Sequence, residues 1–199
     1  MKLLLFSDLH ADREAAARLL EKSREVDVVI GAGDFGNQRR QVADCVDILQ
    51  QIACPCVVVP GNNESYDELL TAFVTWDNVR ILHGNGVTID GIHFYGVGGG
   101  IPVTPFGDWS YDFDEEEAGE MLGDCPAQGV LITHSPAQDL LDVDGRGAHR
   151  GSTAIRAAIE AKQPKLAVCG HIHASGGQSL TFGPTLVVNA GPGGLIVEI

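Results

Sequence analysis

Apolar residues in this chain gather into short unbroken runs, and several of these end in glycine, aspartate, asparagine or histidine. "KLLLF" leads into Ser7-Asp8, "DVVIGA" into Gly33-Asp34 and "CVVV" into Pro60-Gly61-Asn62. Further on, "GVLIT" leads into His134 and "KLAVC" into Gly170-His171. Unbroken runs of this length predict strands covered on both faces. Between the early runs lie helical patterns, "DREAAARLLEK" and "RRQVADCVDILQQI". Ser65 with Glu68 forms a capping box that opens a helix through "DELLTAF". Ile155, Ala158 and Ile159 mark the apolar stripe of another helix before "PKLAVC". The early β-α-β-α-β order predicts right-handed parallel crossovers.

From about residue 79 the pattern changes. "VRILHGNGVTIDGIHFYGVGGG" and the tail "QSLTFGPTLVVNAGPGGLIVEI" read as short strands. In the first of these, Asn-Gly and Asp-Gly pairs favour tight hairpins. The acidic stretch "DFDEEEAGE" (112–120) reads as a solvated helix. The expectation is a mixed α/β architecture, sheets sandwiched between outer helices, in one domain over residues 1–199 and without internal repeats.

Composition narrows the function. Among 199 residues, 27 are acidic and 13 basic, a formal charge of −14 that argues against stable nucleic-acid binding in a basic groove. A small phosphorylated substrate is compatible with that charge if metal ions supply local positive charge. The five cysteines, Cys45, Cys54, Cys56, Cys125 and Cys169, lack zinc-ribbon or redox spacing and read as small buried thiols of a reducing compartment. No run is long enough to span a membrane, and the start "MKLLLFSDLH" is too short and too soon interrupted for a secretory signal. A cytoplasmic protein is expected.

The residues that end the runs carry the chemistry. In open α/β sheets, sites lie beyond the carboxyl ends of strands. There this chain offers Asp8 and His10, Asp34, Asn62, His134, then His171 and His173. Read as extended backbone, each Asp-x-His or His-x-His pair would present both side chains to one place. A lone aspartate or histidine after a strand has ordinary explanations as a cap, a turn or a hydrogen-bonded residue. Seven at five strand ends do not.

The set Asp8-Leu9-His10, Gly33-Asp34, Gly61-Asn62-Asn63-Glu64, His134 and Gly170-His171-Ile172-His173 resembles the calcineurin-like metallophosphoesterases. "THSPAQDLLD" and "PKLAVCGHIH" look most like the branch that includes the small brain metallophosphodiesterases. The resemblance implies a four-layer αββα sandwich with a two-metal site along one edge. By the same resemblance, Asp8, His10 and His173 would hold one divalent ion, Asn62, His134 and His171 the second, and Asp34 would bridge them. Nitrogen and oxygen donors without thiolate suit manganese, iron, cobalt or zinc. Two such ions acidify a water that attacks phosphorus and clamp the phosphoryl oxygens.

Asn63 departs from the family pattern, which has a histidine facing the phosphate. An amide donates a hydrogen bond but is no general acid near pH 7. The expected function is therefore hydrolysis of small phosphodiesters with good leaving groups, cyclic nucleotides among them, with Asn62 and Asn63 orienting a phosphoryl oxygen. His149, in the glycine-flanked "GAHRGS", is the candidate source of a proton. The alternative is a metal-binding scaffold of the same fold with little or no activity. A DNA nuclease fits the acidic charge poorly, and nothing in the sequence fixes an oligomeric state.

Overall fold

The structure is a computed structural model that describes residues 1–199. The five apolar runs become strands: β1 (Lys2–Phe6), β2 (Val28–Ala32), β3 (Cys56–Val59), β7 (Val130–Thr133) and β8 (Leu166–Cys169). All but Lys2 of these strand residues are buried, as expected for strands covered on both faces. With β4 (Val79–Ile81) and β11 (Leu195–Glu198), the first three build a five-stranded sheet ordered β11-β1-β2-β3-β4. Its β1, β2, β3 and β4 pair in parallel, and β11 closes the edge antiparallel to β1.

The second sheet has six strands, ordered β5-β6-β7-β8-β10-β9, with β5 (Asn85–Ile89), β6 (Ile92–Val97), β9 (Gln178–Phe182) and β10 (Thr185–Asn189). Asp90-Gly91, with φ of 48° and 80°, makes the two-residue turn between β5 and β6. Left-handed backbone at both central positions is the type I′ habit that Asp-Gly favours. Asn85-Gly86, by contrast, opens β5 and turns nothing.

Three apolar cores make four layers. Between the sheets, Leu3, Leu5, Ile30 and Val57 meet Phe94, Ile132, Val168 and Val188. Outside the first sheet, Leu4, Val29 and Val58 pack on α1 (Arg13–Lys22), α2 (Val46–Leu49) and α3 (Tyr66–Ala72). Outside the second, Leu131, Ala167 and Val187 pack on α4 (Glu115–Gly123) and α5 (Thr153–Lys162). The alternation of side chains across each strand sends successive residues into different cores. This is the αββα sandwich expected.

The helices follow their sequence signals, with one exception. Ser65 and Glu68 form the capping box of α3, and Asp12 caps α1. The acidic stretch forms α4, capped by Asp114. Its Glu115 is not merely solvated, because the carboxylate accepts hydrogen bonds from Ser152 Oγ and from the N–H groups of Thr153 and Ala154 at the start of α5. "RRQVADCVDILQQI" was expected to be one helix, but only Val46–Leu49 is helical. Gln38, Arg39 and Gln41 take left-handed backbone instead, and the N–H groups of Gln38 and Arg39 bond to Asn63. A contact to a distant loop overrides the local helical pattern there.

Candidate metal centre

Loops at the carboxyl ends of β1, β2, β3, β7 and β8 meet along one edge of the sandwich, and all seven predicted ligand residues lie on them. They fall into two sets. In the first, His10 Nε2 is 3.1 Å from His173 Nε2, and His173 Nε2 is 3.5 Å from Asp8 Oδ1. In the second, Asn62 Oδ1 lies 3.2 Å from His134 Nε2 and 3.1 Å from His171 Nδ1. Asp34 stands between the sets, with Oδ2 3.6 Å from His10 Nε2 and Oδ1 3.4 Å from His134 Nε2.

These separations suit cations. Donors bound at about 2.0–2.2 Å to one ion sit roughly 3–3.5 Å apart. Imidazole nitrogens and carboxylate oxygens that converge at such distances are a donor set suited to divalent metals. The donor atoms of Asp8, His10 and His173 lie within 4.8 Å of one another, as do those of Asp8, Asp34 and His134.

The pairs converge by a different geometry from the one expected. Asp8, His10, Asp34 and His171 have φ of 56°, 47°, 60° and 63°, left-handed rather than extended. Non-glycine residues rarely hold such angles, and they gather at functional sites whose surroundings over-determine them. As a result, His171 and His173 part company: His173 joins Asp8 and His10, while His171 joins Asn62 and His134.

A shell of hydrogen bonds fixes the donors. Ser7 Oγ donates to Asp8 Oδ2 at 2.5 Å, and the N–H of His171 donates to Asp8 Oδ1 at 3.0 Å. His134 Nδ1 contacts the carbonyl of Ala32 at 2.7 Å, which leaves Nε2 to face Asp34 and Asn62. Asn62 Nδ2 donates to Ser110 Oγ at 3.0 Å, turning its oxygen toward the histidines. Glu64, wholly buried, accepts from the N–H groups of Gly61, Asp34 and Gly36 at 2.7, 2.8 and 3.1 Å. Neither Ser110 nor this function of Glu64 was foreseen. Glu64 sits inside a recognised motif, whereas nothing local marks Ser110.

Proton affinities follow from this crowding. Burial, then the neighbouring His134, pushes His171 down to about 4, so its imidazole is neutral and free to ligate at neutral pH. Burial would raise Asp8, but hydrogen bonding to His173 and the nearby His134 bring it down to about 2. Burial would lower His134, yet the carboxylates of Asp34 and Asp8 outweigh it and raise it. Burial and the Asp34 carboxylate lift Glu64 to about 7 against the pull of its N–H donors.

Asn63 faces inward. Its Nδ2 donates to Asp34 Oδ2 at 2.6 Å, its backbone N–H donates to Asp34 Oδ1 at 2.9 Å, and its Oδ1 accepts from the N–H of Gln38 at 2.8 Å. The expectation that it orients a phosphoryl oxygen meets a side chain already engaged with the fold. The donor set opens into a cleft of about 800 Å³. Pro102, Val103, Pro105 and Phe106 give it an apolar wall, and Arg146, His149 and Arg150 line it as well. The two arginines are therefore cleft residues.

Comparison with known proteins agrees with this geometry. The calcineurin-like phosphoesterase superfamily domain matches residues 1–196, and the chain belongs to that family of metal-dependent phosphoesterases. A UPF0046 protein of Caenorhabditis elegans is 30% identical over 188 residues, which are 82% of this chain and 62% of the relative's length. Among solved structures, a Thermus thermophilus protein superposes with a TM-score of 0.76 at 19% identity, over 96% of this chain and 90% of that one. A dimetal phosphatase from Danio rerio does so with a TM-score of 0.64 at 13% identity, over 96% and 88%. These likenesses show the fold. No helix is long and apolar enough to cross a membrane.

Proposed function

We propose that this chain is a dinuclear metal-dependent phosphoesterase that prefers small phosphodiesters to monoesters. The observation that carries the reading is Asp34, whose two carboxylate oxygens face separate nitrogen donors, His10 on one side and His134 on the other. Asp8, His10 and His173 would hold one ion, Asn62, His134 and His171 the other, and Asp34 both. Manganese is the favoured metal, with iron, cobalt and zinc chemically suitable. When bound, the pair supplies an acidified water and neutralises charge on the phosphoryl oxygens.

The remaining residues bind and shape. Asn63 holds the Asp34 carboxylate from two sides, and it lines the cleft, where its second amide N–H would serve a phosphoryl oxygen. Arg146 and Arg150 offer positive charge to an anionic ester, and the wall of Pro102, Val103, Pro105 and Phe106 offers contact to its organic part. The cleft exceeds what a bare phosphate needs. A diester carries a single negative charge, and a strained one such as a 2′,3′-cyclic ribose phosphate opens readily, which suits a donor set without an acid at position 63. Net charge of −14 disfavours stable nucleic-acid binding. Five free cysteines, four of them buried, fit a reducing cytoplasm.

The test combines metal content with turnover. Protein purified without chelator is analysed for bound metal and assayed with Mn²⁺ on bis(p-nitrophenyl) phosphate, beside Asp34→Asn. Close to two metals per chain, with turnover lost in Asp34→Asn, is the expected result. Bound metal without hydrolysis of any ester would make this a metal-binding module instead.

A further inference from the structure

Ester cleavage with a poor leaving group needs a proton at the departing oxygen, and the groups that face the cleft narrow the choice of donor. His10, His134, His171 and His173 turn nitrogens toward the carboxylate and amide oxygens of the donor cluster. The Asn63 amide has no acidic proton. Arginines stay protonated. His149 is the imidazole on the cleft wall that lies outside the cluster.

Its mounting is specific. His149 Nδ1 lies 2.8 Å from Asp142 Oδ1, and Nε2 makes no hydrogen bond within the chain. Asp142 is fully buried, and its other oxygen accepts from the N–H of Gly151 at 3.0 Å. The N–H of Arg150 donates to the Asp142 carbonyl at 3.0 Å, and a bridge between Val143 and His149 joins the two arms of the loop. The loop tip is closed by Asp144, which accepts from the N–H groups of Arg146 and Ala148 at 2.9 and 3.0 Å. A carboxylate on Nδ1 fixes both the orientation of an imidazole and which nitrogen faces outward.

We propose that His149 donates the Nε2 proton to the leaving-group oxygen and that buried Asp142 is its positioning residue. The inference rests on the phosphoesterase reading above. In the step, a water oxygen forms the new bond to phosphorus and releases a proton. The bond from phosphorus to the leaving oxygen breaks, and its electron pair stays on that oxygen, which takes the proton from Nε2. His149, more than half exposed, regains a proton from solvent, so ester and water become acid and alcohol.

Several charges face His149. Asp142 and, at 3.3 Å, Asp139 lie on Nδ1. Arg150 is paired with Asp144 at 2.9 Å, Arg146 is on the same loop, and His10, Asp34, His171 and His173 line the cleft beyond. The hydrogen bond to Asp142 raises the His149 pKa above its usual value of 6.5, which keeps the donor protonated further toward neutral pH.

The test compares wild type, His149→Gln and Asp142→Asn, each loaded with Mn²⁺, on diphenyl phosphate and on bis(p-nitrophenyl) phosphate. His149→Gln should lower kcat/KM on diphenyl phosphate about 10²–10⁴-fold and change it little on the nitrophenyl ester, whose leaving group needs no proton. Asp142→Asn should show a smaller loss with the same ester dependence, and its alkaline limb of kcat/KM should move to lower pH. Independently of turnover, nitrogen-detected NMR of the His149 ring should show its pKa falling in Asp142→Asn. Equal losses on both esters, or a His149 titration that Asp142→Asn leaves unchanged, would overturn the dyad while leaving the phosphoesterase intact. A wild type inactive on both esters would overturn the phosphoesterase reading and proton donation with it. His149→Gln alters an exposed side chain, so its activity comparison stands even if Asp142→Asn does not fold.

Discussion

Asn63 holds Asp34 by both carboxylate oxygens, through a side-chain N–H at 2.6 Å and a backbone N–H at 2.9 Å. The residue that departs from the family pattern therefore fixes the carboxylate that stands between the two donor sets. Outer partners of this kind orient metal ligands, and their loss typically costs about 10–100-fold in metal affinity. Asn63→Ala keeps the backbone N–H and removes the side-chain one. It should weaken Mn²⁺ binding by about that factor in a calorimetric titration, with the far-UV spectrum unchanged. Unchanged affinity would mean that the backbone contact alone holds Asp34.

The motifs that carry the donors were legible in the sequence because each is local: an apolar run and then a polar residue, with glycine just before Asp34, Asn62 and His171. The strands, the capping box at Ser65 and the Asp90-Gly91 hairpin were legible for the same reason. The segment after β2 was not. Its left-handed turn at Gln38, Arg39 and Gln41 is set by hydrogen bonds to Asn63, more than twenty residues on, which no local pattern announces. The orientation of the Asn63 amide and the contact of Ser110 with Asn62 were invisible for that reason too. The Asp-x-His pair converges by another geometry than the one read from the sequence, since left-handed backbone at Asp8 and His10, not an extended strand, brings the two together.

Glu64 ties three loop amides to one buried carboxylate, two of them on Oε1 and that of Gly36 on Oε2. A glutamine in its place has only one oxygen, so an NH₂ group would confront at least one N–H. Leaving a buried donor unsatisfied costs about 1–3 kcal/mol. Glu64→Gln should lower stability by about that amount in urea unfolding at pH 8. It should also loosen Gly61, where a side chain is impossible because a Cβ would collide with the Asp34 carboxylate. Wild-type stability in Glu64→Gln would show that the amide is accommodated.

Asp144 is held down to about 2 by the N–H of Ala148, the Arg150 guanidinium and the N–H of Arg146. Its folded pKa is depressed below the ordinary 3.8, so its stabilising effect on the loop is present above that value. That effect is lost as pH falls from about 4 toward 2. A carboxyl-carbon NMR titration should place its midpoint near 2, and Asp144→Asn should remove this part of the acid sensitivity. An ordinary midpoint would mean that the loop leaves Asp144 free in solution.

Glu115 links the two helices that cover the second sheet. Its carboxylate accepts from Ser152 Oγ at 2.8 Å and from the N–H groups of Thr153 and Ala154 at 3.0 and 2.7 Å. A helix start has N–H groups without partners, and negative charge there is stabilising. Ser152 also caps α5 through the N–H of Ile155, so Glu115 orients the cap as well as joining it. Removing a cap costs about 0.5–2 kcal/mol. In a chain of this length each 1 kcal/mol moves the melting temperature by about 2–4 °C. Glu115→Ala should therefore lower Tm by a few degrees, and Mn²⁺ affinity should stay at the wild-type level because no donor residue touches Glu115. A loss of metal affinity instead would mean that the start of α5 holds the edge of the sandwich on which the donors sit.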